Sequence, residues 1–224
     1  MLLVIQVVVS VALMLWVLGQ VRKPTGPLGR RFVKSMNLTH SGLTDWGLER
    51  VVIGADATIL DVGCGGGRTL QKLAAHAPRG TVHGIDYSAA SVAASRDTNA
   101  REIEAGRVQV QLGSVAALPF PERTFDLVTA VETHYYWPDL PADLREVLRV
   151  LRPGGTLALI AETHRDGWLG ALYSVPMLLI RAKHLSDAEI RALLTRAGFA
   201  EVSTVQMPGK NWICATARRP SSAT

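Results

Sequence analysis

The residues best suited to chemistry lie in one short run, Asp61-Val-Gly-Cys-Gly-Gly-Gly67. The run follows an apolar stretch and leads into Arg68–Ala75, which has the composition of a helix. A strand that ends in glycines and turns directly into a helix lets the backbone approach a ligand closely, and the first N–H groups of the helix point at that ligand. The run therefore predicts a site for a nucleoside-containing cofactor, with a tight turn of no function as the alternative.

The spacing of the glycines selects among such cofactors. A dinucleotide loop has its third glycine five residues after the first, and the residue five after Gly63 is Arg68. The carboxylate of Asp61 would repel a pyrophosphate, whereas it could accept hydrogen bonds from an ammonium group. Both observations disfavour a nicotinamide dinucleotide and favour a cofactor that has an ammonium group and no phosphate.

A second acidic residue lies at the distance expected for a ribose contact. Asp86 ends an apolar run that begins at Thr81, and it is 86 − 67 = 19 residues beyond the last glycine of the loop. An acid about 20 residues on, at the tip of the next strand, is placed to accept hydrogen bonds from both ribose hydroxyls. Tyr87 follows, and we assign it either to the adenine face or to a half-buried structural position. The pair predicts an adenosine moiety without distinguishing between cofactors that contain one.

The Asp61–Gly67 run resembles the D-x-G-x-G-x-G motif of class I S-adenosylmethionine-dependent methyltransferases. Three later segments, Leu118–Phe120, Phe125–Val128 and Val150–Gly155, resemble further motifs of that family in the same order. The resemblance covers about residues 55–217. It implies S-adenosyl-L-methionine as the cofactor, a small-molecule methyl acceptor, and a Rossmann-like seven-stranded fold.

The resemblance also implies which residues bind the cofactor. They belong to the loop, to the second strand tip and to the segments after strands three and four: Asp61, Gly63, Cys64, Gly65, Gly67, Asp86, Tyr87, Ser114, Val115 and Glu132. Many members of the family carry an acid, which bonds the adenine amino group, where this chain has Ser114. A serine hydroxyl accepts that bond less strongly than a carboxylate, so we expect adenine recognition to involve backbone groups near Val115.

A cluster of reactive side chains follows the fourth predicted strand, in Glu132-Thr-His-Tyr-Tyr-Trp-Pro138. Ligands of an open α/β sheet lie at the carboxyl ends of the strands where the strand order reverses, so we expect this segment to face the methyl group. Glu132 is expected to contact the methionine moiety and His134 to act as general base or substrate ligand. Tyr135 is the second catalytic candidate, and with Tyr136 it would form the pocket wall. A purely structural role is the alternative for each residue.

Strands and helices that alternate from Ala57 onward position these residues and predict a mostly parallel sheet with helices on both faces. The predicted strands are Thr58–Val62, Thr81–Asp86, Val108–Leu112, Phe125–Val131, Thr156–Ala161, Glu201–Gln206 and Trp212–Ala217. The predicted helices are Thr69–His76, Ala89–Ala105, Leu140–Leu151 and Ser186–Ala197. Too few residues join the last two strands for a crossover, so one of them runs antiparallel. The predicted fold class is a doubly wound, mostly parallel α/β sheet of seven strands with an antiparallel C-terminal hairpin strand.

Two further segments bear on the acceptor. Glu162–Leu185 is too long for a simple loop, and its apolar centre, Trp168–Ile180, is either an insertion that covers the substrate and grazes a bilayer or a core helix kinked at Pro176. The first interpretation predicts a hydrophobic or membrane-partitioned acceptor. His40, in a helical segment before the first strand, is a candidate substrate contact.

Residues 2–19 are uncharged and almost wholly apolar. At about 1.5 Å per residue they would extend roughly 27 Å, just enough to cross a hydrocarbon core. Because the basic residues follow this segment, we expect an N-terminal transmembrane helix with the catalytic domain on the cytoplasmic side. A lid or interface helix is the alternative. The predicted division is an anchor (1–21), a basic linker with covering helices (22–54) and a methyltransferase domain (55–224).

Charge and cysteines restrict the remaining classes. The net charge is +5, and the basic excess lies before the first acid, Asp45, which disfavours a nucleic-acid partner. Cys64 and Cys214 are expected to be reduced, and no Cys/His cluster has metal-ligand spacing, so no metal is predicted. The alternatives to a methyltransferase are a non-catalytic, membrane-associated cofactor-binding protein and, less favoured, a nicotinamide-dependent oxidoreductase.

Overall fold

In a computed structural model of the chain, the described residues are 19–20, 22–27, 29, 31, 33 and 39–221. The strands are β1 (Thr58–Val62), β2 (Thr81–Asp86), β3 (Val108–Leu112), β4 (Phe125–Val131), β5 (Leu151–Ala161), β6 (Ala200–Gln206) and β7 (Ile213–Arg218). The helices are α1 (Ser41–Leu48), α2 (Arg68–His76), α3 (Ala89–Thr98), α4 (Ala100–Glu104), α5 (Leu140–Val150), α6 (Gly167–Leu179) and α7 (Asp187–Arg196). A 3₁₀ turn, His134–Tyr136, lies between β4 and α5.

The strands form one sheet in the order β3-β2-β1-β4-β5-β7-β6. β1 pairs in parallel with both β2 and β4, so the direction of winding reverses between β1 and β4. β7 runs antiparallel to β5 and to β6. The predicted fold class and the antiparallel hairpin strand are therefore confirmed, and the reversal places the carboxyl ends of β1 and β4 side by side.

Two apolar layers cover the faces of the sheet. On one face Leu144 and Val147 of α5 and Leu194 of α7 are buried against the strands. On the other face Leu43 of α1 and Leu70 of α2 are buried in the same way. Central parallel strands are buried on both faces, which explains why β1 and β4 are nearly continuous apolar runs.

Two predicted elements differ from the structure by more than one residue at an end. The helix predicted over Ala89–Ala105 is interrupted at Asn99, whose Nδ2 donates to the carbonyl oxygens of Gly67 and Ser95, each at 2.9 Å. This contact with the distant glycine loop ends α3 and starts α4. The fifth strand begins at Leu151 and not at Thr156, because Leu151 pairs with Phe125 beyond an irregularity in β4.

The helix α6 is not a core helix. Only Gly170 and Met177 of α6 are buried. Trp168 is 73% exposed and Leu178 is 75% exposed, so an apolar face of the helix is open to solvent. Pro176 lies inside the helix, where it lacks a donor for the preceding turn.

The predicted membrane anchor requires a correction. Of residues 2–19, all but Gly19 lie outside the described residues. No helix within the described ranges is both long enough and apolar enough to cross a membrane. The apolar helix α6 has 13 residues and thus reaches about 20 Å, short of the roughly 30 Å of a hydrocarbon core. The predicted localisation, a single N-terminal anchor with a catalytic domain on the cytoplasmic side, is therefore not supported by any described helix.

Candidate active site

A cavity of about 570 Å³ lies along the carboxyl ends of β1, β2, β4 and β5. Nine of the twelve residues predicted for the site line it: Gly63, Cys64, Gly65, Asp86, Tyr87, Ser114, Val115, Glu132 and Tyr135. The other three, Asp61, Gly67 and His134, do not. The cavity thus joins most of the predicted cofactor residues to the segment after β4.

The glycine loop at one end of the cavity requires glycine at two positions. Gly63 has φ 78°, and a Cβ there would lie 2.5 Å from Cγ2 of Thr133. Gly67 has φ 82°, and a Cβ there would lie 2.4 Å from Nδ2 of Asn99. Both the left-handed backbone and the close neighbours exclude a side chain. The backbone of Gly63, Gly65 and Gly66 forms this part of the cavity wall, so a ligand there can approach the main chain closely.

Asp86 is placed beside this loop at the tip of β2. It is buried, and its carboxylate accepts hydrogen bonds from the N–H of Gly65 (3.0 Å) and of Ser88 (2.8 Å). Burial raises the pKa of Asp86 above its ordinary value, and the two N–H groups act in the opposite direction. Each carboxylate oxygen has a second lone pair that can accept from a hydroxyl. The residue therefore fits the predicted ribose contact.

Asp61 occupies a different position from the one expected. It is 2% exposed, and its Oδ1 accepts a hydrogen bond of 2.7 Å from the hydroxyl of Thr129 on β4. Burial raises the pKa of Asp61 to about 7. Its carboxylate lies beneath the cavity floor and not on the wall, so it supports the junction of β1 with β4.

The adenosine end of the cavity is covered by the N-terminal segment. The hydroxyl of Tyr87 donates to the carbonyl oxygen of Arg22, and the hydroxyl of Ser88 donates to that of Pro24 at 2.6 Å. Nζ of Lys23 lies 5.4 Å from the centre of the Tyr87 ring. Arg22 and Pro24 both line the cavity. The sequence left Tyr87 open between the adenine face and a half-buried structural position, and it predicted residues 24–29 as a linker that precedes the covering helices.

The predicted adenine residues lie on the opposite side of this end. Ser114 is half-buried, and its Oγ accepts a long hydrogen bond of 3.3 Å from the N–H of Ala116. Val115 is 5% exposed and belongs to the apolar core below the cavity. The site therefore has one hydroxyl and an apolar surface at this position.

Glu132, directly after β4, lies at the middle of the cavity. It has φ 60°, a strained conformation for a residue with a side chain, which tends to occur at functional sites. Its Oε1 accepts a hydrogen bond of 3.0 Å from the hydroxyl of Tyr135 and another from the N–H of Glu162. Burial raises the pKa of Glu132 to about 7. The carboxyl group is thus able to hold or release a proton near neutral pH.

His134 does not face the cavity, contrary to the expectation that it meets the methyl group. It is 2% exposed, and its ring packs on that of Tyr135 with the centres 4.3 Å apart. Burial lowers the pKa of His134 to about 4, and the charge of Lys183 contributes in the same direction. Nδ1 of His134 has no hydrogen-bond partner among the described residues. The position suits a packed neutral ring and not a proton acceptor for a substrate.

Two polar residues of the cavity come from distant parts of the chain. Nε2 of His40, before α1, lies 3.6 Å from Oε2 of Glu162, which follows β5. A ring nitrogen of His40 and one carboxylate oxygen each of Glu132 and Glu162 lie within 4.8 Å of one another. Sequence reasoning named His40 as a candidate contact but missed Glu162, because no spacing links residues 40, 132 and 162.

The remaining wall is apolar. Tyr135, Tyr136, Pro176, Met177 and Ile180 line the end of the cavity beyond Glu132. Pro176 and Met177 lie in α6 and Ile180 directly follows it, so part of the 162–185 segment lines the cavity. The site therefore combines a backbone-lined end suited to a nucleoside with an apolar end suited to a second molecule.

Comparison with known proteins agrees with this geometry. The model of the methyltransferase domain family matches residues 59–155. The ubiquinone/menaquinone biosynthesis C-methyltransferase UbiE of Geobacter sulfurreducens is 30% identical over 167 residues, which cover 65% of this chain and 65% of that protein. A chain from the complex between the Haloferax volcanii Trm112 methyltransferase activator and a methyltransferase has a TM-score of 0.74 at 21% identity, covering 84% of this chain and 93% of that chain.

A second solved structure of similar fold contains S-adenosyl-L-methionine. Phosphoethanolamine N-methyltransferase 2 of Haemonchus contortus, in complex with S-adenosyl-L-methionine, has a TM-score of 0.71 at 17% identity, covering 80% of this chain and 52% of that chain. At this identity the two structures support the fold and not a substrate. The chain spans about half the length of the curated relatives it matches, from 36% to 65% for three of them.

Proposed function

We propose that the chain, whose residues 59–155 match the methyltransferase domain family, is a class I, Rossmann-like S-adenosylmethionine-dependent methyltransferase that transfers the methyl group of this cofactor to a small apolar acceptor. The observation that carries the proposal is the continuity of one cavity from the glycine loop to the apolar wall. Because the cavity is continuous, a nucleoside and a second molecule can contact each other inside it. Glu132 lines the same cavity.

The chain's own residues divide into those that hold the cofactor and those that position the acceptor. The loop Gly63–Gly65 would lie along the nucleoside and Asp86 would bind the ribose hydroxyls, with Ser114 and Val115 next to the adenine. Bound S-adenosylmethionine supplies an electrophilic methyl group on a sulfonium. Glu132 would face the methionine part, where a carboxylate stabilises a cationic group.

The acceptor end acts by alignment. Tyr135 is held by its hydrogen bond to Glu132, so its ring presents a fixed face to the cavity. Aromatic faces attract a cationic sulfonium and exclude water from it. Holding the acceptor in line with the methyl group supplies most of the acceleration, because the leaving thioether is already good.

The acceptor is proposed to be hydrophobic because the wall beyond Glu132 is formed by Tyr136, Pro176, Met177 and Ile180. The relative from Geobacter sulfurreducens is named for quinone biosynthesis, which agrees with an apolar ring as the acceptor body. No nucleic-acid partner is proposed, because the positive excess precedes Asp45 and the rest of the chain is balanced.

Titration calorimetry with S-adenosylhomocysteine and with NAD tests the cofactor half of this proposal. We expect binding of S-adenosylhomocysteine only. Replacing Asp86→Asn should weaken that binding about 10- to 100-fold, because hydrogen bonds to a charged acceptor are lost. The exposed Asp56→Asn variant is the matched control and should bind as the wild type does. Binding of NAD in place of S-adenosylhomocysteine would contradict the proposal.

A labelled-methyl assay tests transfer itself. Full-length protein is incubated with methyl-labelled S-adenosylmethionine and a panel of phenols, hydroquinones, apolar alcohols, amines and thiols. We expect label in an apolar member of the panel. Tight cofactor binding with no labelled product across the panel would favour the non-catalytic binding protein.

A further inference from the structure

We propose that His40, held by Glu162, takes the proton of the acceptor, and that the reacting atom of the acceptor is a hydroxyl oxygen. The inference rests on the proposed methyl transfer and extends it in two respects. It names the reacting group, and it assigns the proton to a residue other than His134.

Three separate elements bring the polar groups of the acceptor end together. His40 precedes α1, Glu132 follows β4 and Glu162 follows β5, and all three residues line the cavity. Nε2 of His40 is 3.6 Å from Oε2 of Glu162. A ring nitrogen of His40 and one carboxylate oxygen of each glutamate all lie within 4.8 Å of one another. The cluster is therefore a single polar spot in a largely apolar end of the cavity.

The chemistry of this spot selects a hydrogen-bond donor. A carboxylate only accepts hydrogen bonds, and a neutral imidazole accepts one at the ring nitrogen that carries no proton. Oε1 of Glu132 is already engaged by the hydroxyl of Tyr135 and the N–H of Glu162. Nε2 of His40 is the ring nitrogen that faces the Glu162 carboxylate, so it carries the proton of the neutral ring and Nδ1 is left as the acceptor. A hydroxyl that enters the cavity can donate to that nitrogen.

The position of the spot agrees with a reacting atom there. Glu132 and Glu162 follow neighbouring parallel strands, and β4 also pairs with β1, which ends in the glycine loop. The methyl end of a cofactor on that loop would reach the carboxyl edge of β4. The apolar wall that includes Met177 and Ile180 then holds the acceptor body on the far side.

The step balances with the groups named. The O–H bond of the acceptor breaks and its proton goes to the His40 imidazole. The oxygen forms a bond to the methyl carbon, and the carbon–sulfur bond breaks with its electron pair left on the sulfur, which becomes a neutral thioether. Glu162 faces the resulting imidazolium and stabilises it. The side chain of Glu162 is 44% exposed, so the proton has a route to solvent.

The same pair sets the pH dependence. Glu162 raises the pKa of His40 above its ordinary value of 6.5, while burial lowers it and the charge of Glu132 adds to the increase. Only the neutral imidazole accepts a proton, so turnover should fall as the pH drops through the pKa of His40. Glu162→Gln removes the main cause of the increase and should move this fall to lower pH. A merely structural role of Glu162 would not move it.

A titration of His40 by NMR tests the pairing without any acceptor. The full-length protein is saturated with S-adenosylhomocysteine, and the His40 ring signal, assigned with His40→Ala, is followed against pH. We expect a pKa above 6.5 in the wild type and in Glu122→Gln, an exposed control, and a lower pKa in Glu162→Gln. A His40 pKa that Glu162→Gln leaves unchanged would overturn the inference, even if S-adenosylhomocysteine binds normally.

Turnover with the best hydroxyl acceptor of the labelled-methyl panel tests the proton transfer. His40→Ala should lower kcat about 10²- to 10⁴-fold while the affinity for S-adenosylhomocysteine is kept. His76→Ala, at an exposed position outside the cavity, should not change kcat. Wild-type turnover by His40→Ala, or methylation confined to carbon or sulfur acceptors, would overturn the inference. So would activity that EDTA abolishes and MnCl₂ restores, because the cluster would then hold a divalent cation.

Discussion

At the residue scale, burial decides which charged groups of the site can act. Asp61 is buried and Glu132 is half-buried, and loss of solvent raises the pKa of both carboxyl groups to about 7, yet only Glu132 reaches the cavity. His134 and His40 differ in the same way, since the first is packed against Tyr135 and the second opens on the cavity. Residue type and spacing alone do not distinguish the members of these pairs.

The buried carboxyl of Asp61 should make stability depend on pH. Its pKa is about 7 in the folded chain against 3.8 as the reference value, so the folded state keeps a proton that the unfolded state has lost between these pH values. The free energy of unfolding should therefore fall as the pH rises from about 4 to about 7. Asp61→Asn should remove part of this fall, on the order of a few kcal/mol.

Urea unfolding of the ligand-free protein at several pH values between about 5 and 8 measures this dependence. Glu132 should leave a residual slope, because burial raises its pKa in the same direction. Asp56→Asn, at an exposed carboxylate, serves as the control and should keep the full slope. An identical slope in Asp61→Asn and wild type would contradict the assignment of Asp61 as a buried, proton-binding group.

At the element scale, one face of α6 lines the cavity and the other faces solvent. Met177 is 6% exposed and lines the cavity, whereas its neighbour Leu178 is 75% exposed. The outward face would expose apolar surface at Trp168, Leu172, Val175, Leu178 and Leu179. Only a narrow face of the helix therefore covers the acceptor end of the cavity.

Met177→Ala and Leu178→Ala form a matched pair that tests this division. Met177→Ala leaves a cavity at a buried contact and should lower the free energy of unfolding by about 2–5 kcal/mol. It should also raise KM for the acceptor, since the wall recedes. Leu178→Ala should change stability by less than about 0.5 kcal/mol. Equal losses measured by urea unfolding of the two variants would show that α6 is not oriented as described.

The elements of the sheet were largely predictable, and their exceptions have tertiary causes. The bounds of β1 to β4 follow from apolar, β-branched runs that end in glycine, proline or polar residues, and they agree with the structure. The break at Asn99 was not predictable, because it depends on a hydrogen bond to Gly67, 32 residues away in sequence. The early start of β5 likewise depends on the partner Phe125.

The candidate site was predictable only where a motif holds its residues together. The loop and Asp86 are linked by a spacing that one strand and one helix impose, so the sequence alone locates them. His40 and Glu162 meet through the packing of α1 against the edge of β5, which leaves no periodic trace. The position of His134 was predicted to face the cavity, but a tight turn directs its ring into the core.

At the scale of the whole molecule, the N-terminal segment belongs to the cofactor site. Arg22 and Pro24 line the cavity and bond to Tyr87 and Ser88, respectively. A ligand beneath these residues should hold them in place. S-adenosylhomocysteine at 100 times its Kd should also stabilise the folded chain by about 2.7 kcal/mol.

Limited trypsin digestion measures this coupling. Cleavage after Arg22, which is exposed, should slow when S-adenosylhomocysteine is added, whereas the Lys23–Pro24 bond resists trypsin because proline follows the lysine. Cleavage after Arg218, exposed and remote from the cavity, provides the internal control. Equal rates at Arg22 with and without ligand would show that the segment does not cover the bound nucleoside.

Two separate segments cover the cavity. Residues 22–24 lie over the nucleoside end, and α6 lies over the acceptor end. Because these two segments are far apart in the sequence, we expect each to move without the other and to give each small molecule its own route. The spent nucleoside would then leave while the next acceptor is already bound, and an acceptor bound in a wrong orientation would depart without loss of the methyl donor. The catalytic cycle would then have no obligatory order of ligand binding and release.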